Sequence, residues 1–125
     1  MILGTGTDIV SLDRIRRGYE RFGARYAAHM LSRAELPLLP GNDRAIAFLA
    51  GRWAAKEACA KALGTGFANG IGPANLEVFN TAAGAPELHL TGPALERLQA
   101  LQGTRLHVSI SHDTLCAVAF VIIEG

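Results

Sequence analysis

Charge, cysteine, aromatic side chains and long apolar runs are all scarce in this 125-residue chain. Only 18% of its residues are charged, against about 25% in an ordinary globular domain. That leaves a monomer thinly solvated and points toward an oligomer. Twelve basic side chains nearly balance eleven acidic ones, for a formal net charge of +1, which excludes a nonspecific nucleic-acid binder. Two cysteines are too few for a disulfide scaffold. Cys59 and Cys116 both lie in apolar sequence, so they read as inert thiols rather than a redox or metal pair. The longest uninterrupted apolar run, Leu115 to Ile123, has nine residues, whereas a spanning helix needs about 20. No secretory leader is visible either, because Met1 to Val10 alternates Gly and Thr where an apolar segment belongs, and the chain reads as cytoplasmic.

What is present is a hydrophobic half, enough to exclude disorder. At 13.2 kDa a folded monomer would keep about 6,400 Å² of accessible surface and needs no staples, so residues 1–125 are expected to form a single domain. Ile2 to Ile9 reads as a strand, and Ser11 as the N-cap of a helix reaching Phe22. Six arginines fall between Ser11 and Glu35 against three acids, a local excess in a nearly neutral chain. Ser32 and Glu35 have capping-box spacing for a short helical turn ended by the Pro37 to Pro40 region. The strongest element is a helix from Asn42 to Leu63, stopped by Gly64. Leu76 to Asn80 and Glu87 to Leu90 are expected to form a hairpin. A helix opens near Pro93 and runs to about Gln102, and Arg105 to Ser111 and Leu115 to Ile123 form a closing hairpin.

The chain has ten arginines but only two lysines, and both lysines, Lys56 and Lys61, flank Glu57 in the long helix. At about 100° per residue, Ile46, Ala50, Trp53, Ala54 and Ala60 lie within about 60° of Glu57, which puts the carboxylate inside an apolar stripe expected to face the core. Either Lys61, one turn on, neutralises it as a solvated pair, or Glu57 faces a cleft and binds a hard cation. A second carboxylate, Asp8, shares a strand face with Gly4 and Gly6. Those glycines either let the long helix pack closely, with Asp8 capping the next helix, or they open a face to a ligand. Two carboxylates from separate elements, completed by water and substrate phosphate, make a usual Mg²⁺ site.

Gly64-Thr65-Gly66 follows a helix rather than preceding one, so it is neither a P-loop nor a dinucleotide fingerprint. It is a helix stop, or a place where a ligand lies on bare backbone. His107, Ser109 and Ser111 share one face of a strand, a polar stripe in which His107 reads as solvated or hydrogen-bonded unless a ligand reaches it. No Ser-His-Asp order suits a hydrolase, and no Cys or His spacing suits zinc.

Three segments together resemble the holo-acyl carrier protein synthases, the short bacterial 4′-phosphopantetheinyl transferases. Gly4-Thr5-Gly6-Thr7-Asp8 is similar to that family's first motif. Trp53-Ala54-Ala55-Lys56-Glu57-Ala58-Cys59-Ala60-Lys61 is similar to its central helix, with Trp53 where short members often have Phe. His107 to His112 resembles the third. The resemblance implies an α+β fold with a small antiparallel sheet, one long helix and several short ones, assembled as a homotrimer with intersubunit active sites. It implies transfer of the 4′-phosphopantetheine arm of coenzyme A to a serine of apo acyl carrier protein, with Mg²⁺ and release of adenosine 3′,5′-bisphosphate. Under it Asp8 and Glu57 hold the metal, Lys61 stabilises charge on the diphosphate, and Glu57, directly or through a water, is the base. Arg44, Arg52 and His107 meet the nucleotide end, Gly64, Thr65 and Gly66 lie along the ligand, and Arg14, Arg17, Arg21 and Arg25 dock the acidic carrier protein. Two other classes compete. A non-catalytic trimeric nucleotide binder would not need Asp8 and Glu57, and an interaction module built on the arginine helix leaves Glu57 unexplained.

Overall fold

The computed structural model describes residues 1–125. Strand β1 (Ile2–Ser11) is followed by helices α1 (Leu12–Phe22) and α2 (Ala24–Met30), the long helix α3 (Ala45–Ala62), the hairpin β2 (Leu76–Asn80) and β3 (Pro86–Leu90), helix α4 (Gly92–Ala100), and the hairpin β4 (Arg105–His112) and β5 (Cys116–Glu124). Single 3-10 turns stand at Leu36–Leu38 and Pro73–Asn75. The fold is α+β, but the strands form two antiparallel sheets rather than one, in the order β1-β5-β4 and β2-β3. No helix is long and apolar enough to cross a membrane.

Local chemistry explains most boundaries. Ser11 caps α1 by accepting a hydrogen bond from the Arg14 backbone N–H at 3.3 Å. Gly23, at φ +55°, ends α1 at Phe22 as expected and separates it from α2, so Arg25 belongs to α2 and not to α1. Asn42 acts through an Asx turn, its Oδ1 taking the Arg44 N–H at 3.0 Å, and α3 therefore starts three residues later than its cap suggests. At the other end Gly64 adopts φ +79° and its N–H closes onto Lys61 O at 2.9 Å, the left-handed stop that the sequence implies.

Helix α3 lies on the inner face of the three-stranded sheet, and β1 reaches it through two glycines. A Cβ on Gly4 would overlap the Ala62 carbonyl oxygen, and one on Gly6 would overlap that of Ala58. Close packing is therefore what these glycines do. Around them one core of 26 apolar residues joins the sheet, α3, the hairpin and α4. The opposite face of the three-stranded sheet has no cover. Ile9, Val118 and Phe120 stand there 69%, 39% and 46% exposed, between threonines of β1 and the His107, Ser109 and Ser111 row of β4.

Candidate active site

Helix α3 is apolar almost all the way round, so hydrophobic periodicity does not say which side opens to solvent. The stripe of Ile46, Trp53, Glu57 and Lys61 does, and it is the least buried side of the helix. The expectation that Glu57 lies on the core-facing stripe is thus corrected in part: Ala50, Ala54 and Ala60 of that stripe are wholly buried, but Ile46, Trp53 and Glu57 are only half-buried, and Glu57 keeps access to solvent. Its partner is not Lys61 in the sense of a helical pair. Lys61 Nζ reaches across to β1 instead, donating to Asp8 Oδ1 at 3.0 Å and to the Thr7 carbonyl at 3.0 Å. Nor does Asp8 cap the following helix, since Ser11 does that.

Partial burial pushes the Glu57 carboxyl above its ordinary range, and the neighbouring Asp8 charge adds to the effect, while Lys61 and Arg14 oppose it. Two carboxylates from separate elements are thereby held close, with no third His, Cys, Asp or Glu forming a metal cluster with them. Such a hard, oxygen-only pair fits Mg²⁺, which keeps water and phosphate among its ligands, and does not fit zinc.

Arg44 and Arg52 come together in a different cleft of about 450 Å³, lined also by Phe48, Asn80, Pro86 and His112. Arg52 is only 8% exposed, its guanidinium stacks 4.2 Å from the Phe48 ring centroid, and Nη2 donates to Asn80 Oδ1 at 3.3 Å. Its buried Nε has no partner, which suits a cleft that receives an anion. Arg44, Phe48 and Arg52 lie about 140–180° around α3 from Glu57. One ligand on one chain cannot lie against both sides of that helix. His107 is elsewhere again, on the uncovered sheet face, with Nε2 2.9 Å from Glu124 Oε1. The expected single set of site residues is divided within the chain into three patches.

The Gly64-Thr65-Gly66 turn ends α3 beside Lys61, pinned by Thr65 and Gly66 N–H bonds to Ala60 O and by Arg97 Nε donating to Leu63 O at 2.9 Å. Trp53 stacks on Phe67 at 5.6 Å next to it. Arg14, Arg17 and Arg21 share one stripe of α1, although Arg17 is held by Asp13 at 2.7 Å. Arg25 sits on α2 beside Phe22, Tyr26 and His29, which together line a small surface depression. Cys59 and Cys116 are both free, and burial pushes the Cys59 thiol up to about 12, so it is inert.

Sequence reasoning missed the most buried charge in the molecule. Lys56, wholly enclosed, donates to Glu35 Oε1 at 2.6 Å and to Pro73 O at 2.8 Å. The Ser32–Glu35 box does form, with Ser32 N–H on Glu35 Oε1 at 2.9 Å and Glu35 N–H on Ser32 Oγ at 3.2 Å, but its carboxylate is fully buried. A lysine in an otherwise apolar helix was the available signal, because such a charge needs a counter-ion.

Comparison with known proteins matches the chain to the 4′-phosphopantetheinyl transferase superfamily over residues 4–119. A holo-[acyl-carrier-protein] synthase from Nitratidesulfovibrio vulgaris is 51% identical over 125 residues, covering 100% of both chains. Among solved structures, holo-[acyl-carrier-protein] synthase from Neisseria meningitidis superposes with a TM-score of 0.90 at 40% identity, with 100% of each chain covered. The Bacillus anthracis synthase, solved in complex with CoA (3′,5′-ADP), gives 0.82 at 34% identity over 98% of this chain and 96% of that one. Matched by the family model over residues 4–119 and by full-length relatives in sequence and in fold, this chain belongs to the holo-[acyl-carrier-protein] synthases of the 4′-phosphopantetheinyl transferase superfamily.

Proposed function

We propose that this protein is a cytosolic, Mg²⁺-dependent transferase that moves the 4′-phosphopantetheine arm of coenzyme A onto a serine of apo acyl carrier protein. The observation that carries the reading is the Asp8–Glu57 pair, two carboxylates from β1 and α3 brought together under Lys61 and Arg14. Mg²⁺ held by these two groups supplies charge neutralisation for the diphosphate being split. Glu57 takes the serine proton directly or through a bridging water. The serine oxygen then bonds to the phosphorus bearing the pantetheine arm. The bond from that phosphorus to the bridging oxygen breaks, and its electron pair leaves with adenosine 3′,5′-bisphosphate. Lys61, its side chain half-exposed beside Asp8, stabilises the charge that develops.

The nucleotide end belongs with Arg44, Arg52 and His107. These residues lie on other faces of the chain from Glu57, which supports a homotrimer in which the ligand bridges neighbouring subunits. The uncovered face of Ile9, Val118 and Phe120 is the surface to be buried there. Only one side of β5 is free for this, since alternate residues Ala117, Ala119, Val121 and Ile123 already serve the internal core. Carrier protein docks on Arg14, Arg21 and Arg25, with Arg17 partly neutralised by Asp13. The test is Glu57→Gln. It should fold, bind coenzyme A and fail to modify apo carrier protein by mass spectrometry, whereas near-normal turnover would remove Glu57 from the reaction.

A further inference from the structure

Helix α3 is built largely of alanine with Gly51 at its middle, and it faces the sheet through Ala58, Ala62 and Gly51 against Gly6, Gly4 and Ile110. Small side chains allow close approach but offer little relief against rotation of the helix about its own axis or sliding along it. The directional restraints are polar: Lys61 on Asp8 and Thr7, Arg52 on Asn80, and, alone in being wholly enclosed, Lys56. Lys56 projects from α3 about 100° away from Glu57, toward the β2-β3 side, and its ammonium is wholly buried on Glu35 Oε1 and Pro73 O. Glu35 Oε2 accepts the Val78 N–H at 2.9 Å, and Oε1 also accepts the Ser32 N–H. The ion pair thus ties α3 to β2 and to the segment at residues 32–36 through the carboxylate, and to the turn before β2 through the ammonium. Ser32 Oγ extends the network to Glu77.

A buried pair of this kind is a poor source of stability, because desolvation consumes most of the attraction and an apolar pair of similar volume does as well. Its value is directional. A roll of about 20° would swing a carboxylate about 6 Å from the helix axis by about 2 Å, and errors of about 1 Å cost reacting groups about a hundredfold. We propose that Glu35, through its buried ion pair with Lys56, is a positioning residue that sets the roll of α3 and so the approach of Glu57 to Asp8. The proposal rests on the reading of Asp8 and Glu57 as the reacting centre.

The test is the double variant Glu35→Gln/Lys56→Met in the full chain, which leaves neither charge buried alone. It is expected to melt close to the parent, yet to show kcat per folded molecule about tenfold lower and Mn²⁺ affinity, read by electron paramagnetic resonance with coenzyme A present, about tenfold weaker. The KM for carrier protein, whose docking arginines are on α1 and α2, should not move. A lowered melting temperature with kcat and Mn²⁺ affinity unchanged would make the pair purely structural and overturn the proposal. Should the double variant not fold, Glu35→Asp decides, since it keeps both charges but retracts the carboxylate by one methylene. Loss of kcat and Mn²⁺ affinity supports positioning, and parental values for both sink it. Glu57→Gln run in parallel separates the two readings. If it turns over normally the reacting centre itself is wrong, whereas an inactive Glu57→Gln beside a fully active double variant rejects only the positioning role.

Discussion

Lys56 and Glu57 are neighbours in sequence, and one helical step of about 100° sends them to opposite fates. Lys56 is wholly buried and neutralised by Glu35, and its own burial makes the charged form harder to keep, an effect that Glu35 opposes. Glu57 is left half-exposed beside another carboxylate with its proton held more tightly than usual. The sign of that shift is testable. A carboxyl whose folded value is raised costs nothing below the unfolded value, near 4.5, and penalises the fold increasingly as pH rises through the folded one. Metal-free Glu57→Gln should therefore melt above the parent at pH 7, with the difference fading below about pH 4. A parent that is the more stable at pH 7 would show that Glu57 is already well compensated. Arg14 belongs to the same scale, because it stands at the edge of the site and at the head of the arginine stripe. Arg14→Ala should raise the KM for carrier protein by about fivefold, on the order of 1 kcal/mol, with a salt dependence shallower than the parent's and little change in the KM for coenzyme A. Equal effects on both substrates would remove it from the docking surface.

Elements are positioned by how closely their backbones approach, and β1 against α3 is the contact that brings Asp8 to Glu57. Gly6 has no room for a methyl group beside the Ala58 carbonyl oxygen. Gly6→Ala should destabilise the fold by about 1–3 kcal/mol in urea titrations and, by moving β1 away from α3, lower turnover in the molecules that remain folded. Unaltered urea stability would show that the sheet can shift without cost. Much at this scale was legible beforehand. The N-cap at Ser11, the stop at Gly64, the capping box at Ser32 and the β2-β3 hairpin all form where turn chemistry puts them. The end of α1 at Phe22 was legible too, but that the chain folds back there was not: the packing of Gly18 against the Tyr26 ring from α2 shows it.

At the scale of the whole molecule the accessible surface is 6998 Å², above the roughly 6,400 Å² expected of a compact monomer of this mass. Part of it is the uncovered apolar row on the three-stranded sheet, and thin surface charge is the compositional counterpart of that row. Each copy that buries a Phe120 side chain against a neighbour gains about 1.5–3 kcal/mol. Phe120→Asp should therefore shift the protein to monomers in analytical ultracentrifugation and abolish transfer, because the nucleotide patch of one chain would no longer meet the carboxylates of another. A parent protein that sediments as a monomer at micromolar concentration would defeat this expectation.

The sequence alone determined where most elements begin and end, since caps and glycine stops depend on contacts within a few residues of chain. It also identified Asp8, Glu57 and Lys61 as one group, and the structure brings those three together. Only tertiary structure decided which side of α3 is open, that Lys61 serves Asp8, that Glu35 answers Lys56, and that Arg44 and Arg52 share a cleft with Asn80 and Pro86. A helix apolar on every side carries no record of its exposed face. What packs against each side is set largely by residues distant in sequence, and that information appears only when the chain is folded.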